Sequence, residues 1–241
     1  MNTRKLWFGF IAVMAVSFAV LLYYGREIYK QAPPIPSEVV TADGKVIFTG
    51  QQISDGQNVW QSIGGHEVGT IWGHGSYVAP DWSADWLHRE SEFILNYLAD
   101  TTFHKPFAAL SPEDQAMLKV RLQQEVRANT YDPATGRITV SPVRALAIRA
   151  VGGHYAGLFM NEPSLEKLRD AYAIPPNSIK DPVRMEMMNA FFFWTAWACV
   201  TNRPGNDITY TNNWPPDELV ANKPSSSLIL WTGFSVIMLL A

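Results

Sequence analysis

Residues 6–24 read LWFGFIAVMAVSFAVLLYY, nineteen residues without a charge, with Arg4 and Lys5 before them and Arg26 after them. At about 1.5 Å rise per residue such a run is long enough to cross a bilayer. A cleaved signal peptide has an apolar core of about 7–15 residues and then a small-residue cleavage site. Here the core is longer, and the residues that follow, YGREIYK, are bulky and charged. The stretch therefore predicts an uncleaved membrane anchor.

The other end of the chain carries a second apolar run. Residues 227–241, SLILWTGFSVIMLLA, follow a polar entry of Lys223, Pro224, Ser225 and Ser226, with Trp231 where an interfacial aromatic belongs. A run this short is also what a buried helix of a soluble domain looks like. We read it as the beginning of a second transmembrane helix, so that residues 25–226 form one domain on one side of the membrane. Lys and Arg near the spans are nearly balanced, with Arg4 and Lys5 set against Arg26, Lys30 and Lys223. The positive-inside rule then points only weakly to a cytoplasmic N-terminus and a domain outside.

The net charge of −3 and the pI near 5.9 give no basic stripe of the kind nucleic-acid binding needs, so no nucleic-acid partner is expected. A single cysteine, Cys199, lies in the apolar stretch NAFFFWTAWACV. One thiol allows no intrachain disulfide, no cysteine-rich zinc site and no C-x-x-C-H haem attachment.

The elements between the apolar runs are mainly helical, with one small β-hairpin. Residues 39–48 alternate as strand, turn and strand about Asp43-Gly44. Helices are expected at 54–61, 82–103, 141–159, 164–172 and 181–201. A further helix opens at Ser111-Pro112-Glu113-Asp114, where Ser caps, Pro takes the first helical position and acids fill the first turn. It should end near the turn cluster at 131–136. Helix 181–201 is apolar nearly all round and belongs in a buried centre, or against a membrane surface.

Of the five histidines, none makes an H-E-x-x-H pattern or an i, i+4 pair. His66 and His74, eight apart with Glu67 beside the first, could be drawn as a metal site, but a loop with solvated histidines explains them better. His154 follows Gly152 and Gly153 inside a helix, where glycines suggest close packing by another element. No P-loop, G-x-S-x-G or dinucleotide fingerprint occurs. What stands out is residues 50–90, with five glycines between Gly64 and Gly75 and tryptophans at 60, 72, 82 and 86. Such a loop can wrap closely around something flat or around another chain.

At these residues the chain resembles the N-terminal region of quinol-dependent, single-chain nitric oxide reductases of the haem-copper oxidase superfamily. The resemblance runs through the anchor, the stretch NVWQSIGGHEVGTIWGHGSYVAPDWSADWLHRE, the turn Asn212-Asn213-Trp214-Pro215-Pro216 and the closing WTGFSVIMLLA. It implies an outer domain similar to the cytochrome c component of the two-chain enzymes. Asn58-Val59-Trp60-Gln61 resembles the run before the haem c box, and Gly73, Gly75, Tyr77, Ala79 and Pro80 the run after it. Where the box would place Cys, Cys and His, this chain has Gly65, Val68 and Gly69, so the haem c box is lost.

The resemblance further implies an enzyme of the bacterial cytoplasmic membrane with a periplasmic domain over a helical bundle. Haem b, high-spin haem b, non-haem iron and the quinol site would belong to that bundle, and none is expected on this chain alone. Calcium is implied at the backbone carbonyls of Gly75 and Tyr77. The expected partners are the C-terminal transmembrane bundle, lipid and quinol. A reading from another class stays open here: a complete, non-catalytic, membrane-anchored binding or assembly module.

Overall fold

The computed structural model describes residues 3–240. The chain divides after Pro34 into two compact units. The first is helix α1, Thr3–Gln31, whose apolar side chains are exposed along its whole length. Its 29 residues make it longer than the uncharged run alone. It has the length and apolarity of a membrane anchor.

The second unit is mainly helical with one small sheet. Strands β1 (Glu38–Thr41) and β2 (Val46–Thr49) form the hairpin read from the sequence. Helix α2, Gly50–Ser62, starts four residues earlier than expected because Thr49 and Gln52 close a reciprocal capping box. Helix α3, Trp82–Phe103, is capped by Asp81, and α4, Pro112–Arg127, by Ser111. Both start where the sequence places them.

The turn cluster at 131–136 is more than the end of a helix. It joins strands β3 (Tyr131–Asp132) and β4 (Arg137–Val140), and β4 pairs in parallel with β1, giving the order β2-β1-β4-β3. Ile138 and Val140 point into the core while Arg137 and Thr139 face out, and Arg137 pairs with Glu38 on the neighbouring strand at 2.9 Å. Helices α5 (Pro142–Met160), α6 (Glu166–Ala171) and α7 (Pro182–Val200) follow, and Ser226–Leu240 forms the shorter apolar helix α8.

Helix α7 is the centre. Every residue from Ala190 to Val200 is buried, which removes the alternative of a membrane-facing surface. It packs chiefly on α2 and α3. The approach of α2 is set by Gly56, where an added Cβ would lie 2.0 Å from the Met187 carbonyl oxygen and 2.7 Å from Phe191 Cβ. Helix propensity alone would favour Ala over Gly by about 1 kcal/mol. The clash is with backbone, so packing should win. Gly56→Ala is expected to lower unfolding stability by about 1–3 kcal/mol in urea titrations, with the helix content of the folded state unchanged.

Candidate functional site

The glycine-tryptophan loop is held from three sides. Residues Gly65–Val68 form a short helical turn, after which Thr70 and Asp81 close the loop as a β-bridge, with Trp82 N–H donating to the Thr70 carbonyl at 2.9 Å. The Asp81 carboxylate accepts from the Thr70 hydroxyl at 2.7 Å and the Gly73 N–H at 2.6 Å through one oxygen. Through the other it accepts from the Ala84 N–H at 3.0 Å and the Ser83 hydroxyl. From the far side the Trp214 indole donates to the Gly73 carbonyl at 3.0 Å, and its ring meets His74 at 4.6 Å.

The three positions where the resemblance would place the haem box differ in their surroundings. An added Cβ at Gly65 would meet open space. Val68 lends its carbonyl to the Trp82 indole N–H at 2.7 Å. Gly69 has φ +114°, and a Cβ there would sit 2.3 Å from Trp82 Nε1 and 2.6 Å from the Pro80 carbonyl oxygen. No L side chain fits that place, an imidazole least of all. Trp82 is fully buried, stacked on Phe192 at 5.8 Å and edged by Tyr155, Phe159 and Tyr172. The only cysteine, Cys199, is buried on α7 beside Ser83 and Trp72 rather than at a position of the box, and burial pushes its thiol up to about 12. The residues present do not fit a haem c.

Gly75 and Tyr77 lie at the outer end of the loop. Gly75 has φ +85° and donates its N–H to the Thr70 hydroxyl oxygen at 2.8 Å. The Tyr77 side chain is fully exposed. Among the described residues neither carbonyl accepts a hydrogen bond.

His66 and His74 share no site. His66 packs its ring on Trp60 at 5.0 Å, whereas His74 packs on Trp214. The described residues hold no group of three or more His, Cys, Asp or Glu side chains disposed for a metal. Gly152 is pressed against Asn189 of α7, as expected, but Gly153 faces open space. His154 is held below the usual imidazole range by burial and by the Arg89 guanidinium.

The family model for the NorB cytochrome c-like domain of nitric oxide reductase matches residues 36–216. The chain belongs to this family. A search of curated proteins finds no match. The cytochrome c-like domain thus accounts for most of the second unit, and the chain is part of an oxidoreductase of the nitric oxide reductase type.

Two polar arrangements in this cytochrome c-like domain are not visible in the sequence, because their partners are far apart along it. Tyr155, fully buried and stacked on Trp86 at 5.3 Å, donates to Asp85 at 2.6 Å, and Arg89 donates to the same oxygen at 2.7 Å. Burial holds the Tyr155 hydroxyl well above the usual phenol range. Arg144 and Glu90, 3% and 1% exposed, form an ion pair at 2.7 Å, and the Trp86 indole donates to the second Glu90 oxygen at 3.1 Å. The guanidinium lies 5.7 Å from the centre of the Phe193 ring. Removing one member strands a buried charge, which typically costs about 3–5 kcal/mol, whereas replacing both by apolar residues is often neutral. Arg144→Met alone should therefore destabilise by that amount, and Glu90→Leu with Arg144→Met should recover most of it in the same denaturation assay.

Proposed function

We propose that the chain is the anchor and outer scaffold of a respiratory nitric oxide reductase that takes its electrons from quinol. The reaction combines two NO, two electrons and two protons into N2O and water. On this reading α1 anchors the enzyme in a bacterial cytoplasmic membrane with its N-terminus inside, α8 enters the lipid, and the domain at 25–226 stands in the periplasm. Haem b, high-spin haem b and non-haem iron belong to the helical bundle of the same enzyme, which is the domain's partner.

The observation that carries this reading is the contact between Gly69 and Trp82. A soluble cytochrome can pass electrons only to a redox centre it can reach; the resemblance puts Gly69 at the haem's histidine, and a Cβ there would sit 2.3 Å from Trp82 Nε1. A domain without that centre is no relay, so electrons must enter the enzyme elsewhere, and a lipid-soluble quinol meets that need. Membranes containing the enzyme should consume NO when given a reduced quinol analogue and not when given reduced soluble cytochrome c. Consumption driven by cytochrome, or a haem-stained band at this chain's mass on a denaturing gel, would overturn the reading.

Calcium belongs to the same reading. The Gly75 and Tyr77 carbonyls are unclaimed among the described residues and lie at the exposed end of the loop, which fits them to bind a hard cation. Calcium takes about six to eight oxygens, so two carbonyls cannot hold it alone. The rest, a carboxylate and haem propionates, would come from the bundle, and the ion would bridge the two parts. Elemental analysis of the intact enzyme should find calcium in wild type and in Tyr77→Phe, whose carbonyl is unchanged. Gly75→Pro should lose it, because a ring fixed near φ −65° cannot adopt φ +85° and removes the N–H that holds Thr70. Wild type without calcium would remove the ion from the proposal.

A further inference from the structure

Asp81 looks in the sequence like a helix cap and nothing more. In the structure its carboxylate, 6% exposed, divides its work between two tasks. One oxygen caps α3 through the Ala84 N–H and accepts from Ser83. The other accepts from Gly73 N–H at 2.6 Å and Thr70 O–H at 2.7 Å. Helix capping needs only the first oxygen.

The second oxygen acts beyond its own contacts. An ionised carboxylate only accepts, so it fixes the Thr70 proton toward itself. The Thr70 oxygen is then left to accept, and what it accepts is the Gly75 N–H at 2.8 Å. Asp81 thereby orients the His74–Gly75 peptide through one intervening hydroxyl. The loop closes beyond that point, with Ser76 N–H donating to the Ala79 carbonyl at 2.9 Å. The Tyr77 carbonyl lies within this turn and the Gly75 carbonyl directly before it, and neither accepts a hydrogen bond from the described residues.

We infer that Asp81, acting through Thr70, is the positioning residue that holds the 73–79 loop so that the unclaimed Gly75 and Tyr77 carbonyls stay available to a hard cation. The part concerning the cation rests on the calcium reading above. The clamp itself rests only on the hydrogen bonds. Preorganised carbonyls do not have to be ordered when the ion binds, so loss of the clamp should appear as weaker binding with little change in fold.

Two variants separate the clamp from the cap. Thr70→Val removes the relay and leaves the Asp81 to Ala84 bond in place. Asp81→Asn keeps one capping oxygen but turns the other position into an N–H donor facing the Gly73 N–H. In the intact enzyme, hydrogen exchange at Gly73 and Gly75 and calcium content across a chelator titration would be measured for wild type and both variants.

Thr70→Val should speed exchange at Gly75 at least about tenfold, and Asp81→Asn should do so at Gly73 as well. In both, calcium should be lost at about tenfold lower chelator, with far less change in the melting temperature than Arg144→Met gives. Unchanged exchange at both glycines would overturn the clamp. Faster exchange with unchanged calcium retention would overturn its role toward the cation. Wild type without calcium, with exchange accelerated in the variants, would leave the clamp standing and remove the calcium reading beneath it.

Discussion

Trp82 opens α3, is fully buried, and lies flat on Phe192 of the central helix α7, and the rest of the domain is arranged around that indole. Its N–H reaches back to the Val68 carbonyl, and its ring takes the space a side chain at Gly69 would need. The same residue therefore starts a helix, anchors the aromatic core and ties the glycine loop to both. Burial of a ring this size is among the larger single contributions a core can receive, and edge and stacked neighbours add to it. Trp82 and the rings around it hold the loop and the core together.

That packing connects features that would otherwise be unrelated. The core is crowded with aromatic side chains, because rings fill a large flat volume with few torsions to order. The charged pair Glu90 and Arg144 is buried among those rings and is tolerated because Trp86 and Phe193 supply a hydrogen bond and a ring face. The loop is held by Asp81, which accepts from four donors. A domain built this way leaves no room beside Gly69 for a side chain.

Much of this was legible in the sequence, and the failures have physical causes. Helices α3, α4, α5 and α7 were readable because their caps are local: Asp81, Ser111, Ser141 and Asp181 sit beside the N–H groups they satisfy. The β4 strand was missed although Arg137-Ile138-Thr139-Val140 alternates, because its main partner β1 lies about a hundred residues away and the turn at 131–136 dominates locally. The sequence shows a single cysteine, too few for a C-x-x-C-H attachment. The reason Gly69 must be glycine was not legible there, since it lies in the packing of Trp82. Asp81 was hidden for the same reason: a capping aspartate carries no local sign that its second oxygen holds a loop.

Whether Trp82 occupies the space beside Gly69 is decided by a double-mutant cycle in urea, in which Gly69→Ala, Trp82→Leu and the double variant are compared with wild type. A positive φ penalises Ala whatever the space, so the coupling between the two changes is the deciding quantity. Gly69→Ala is expected to cost at least about 1 kcal/mol less when Trp82 is already Leu. Strict additivity of the two single changes would contradict the packing of the indole against Gly69.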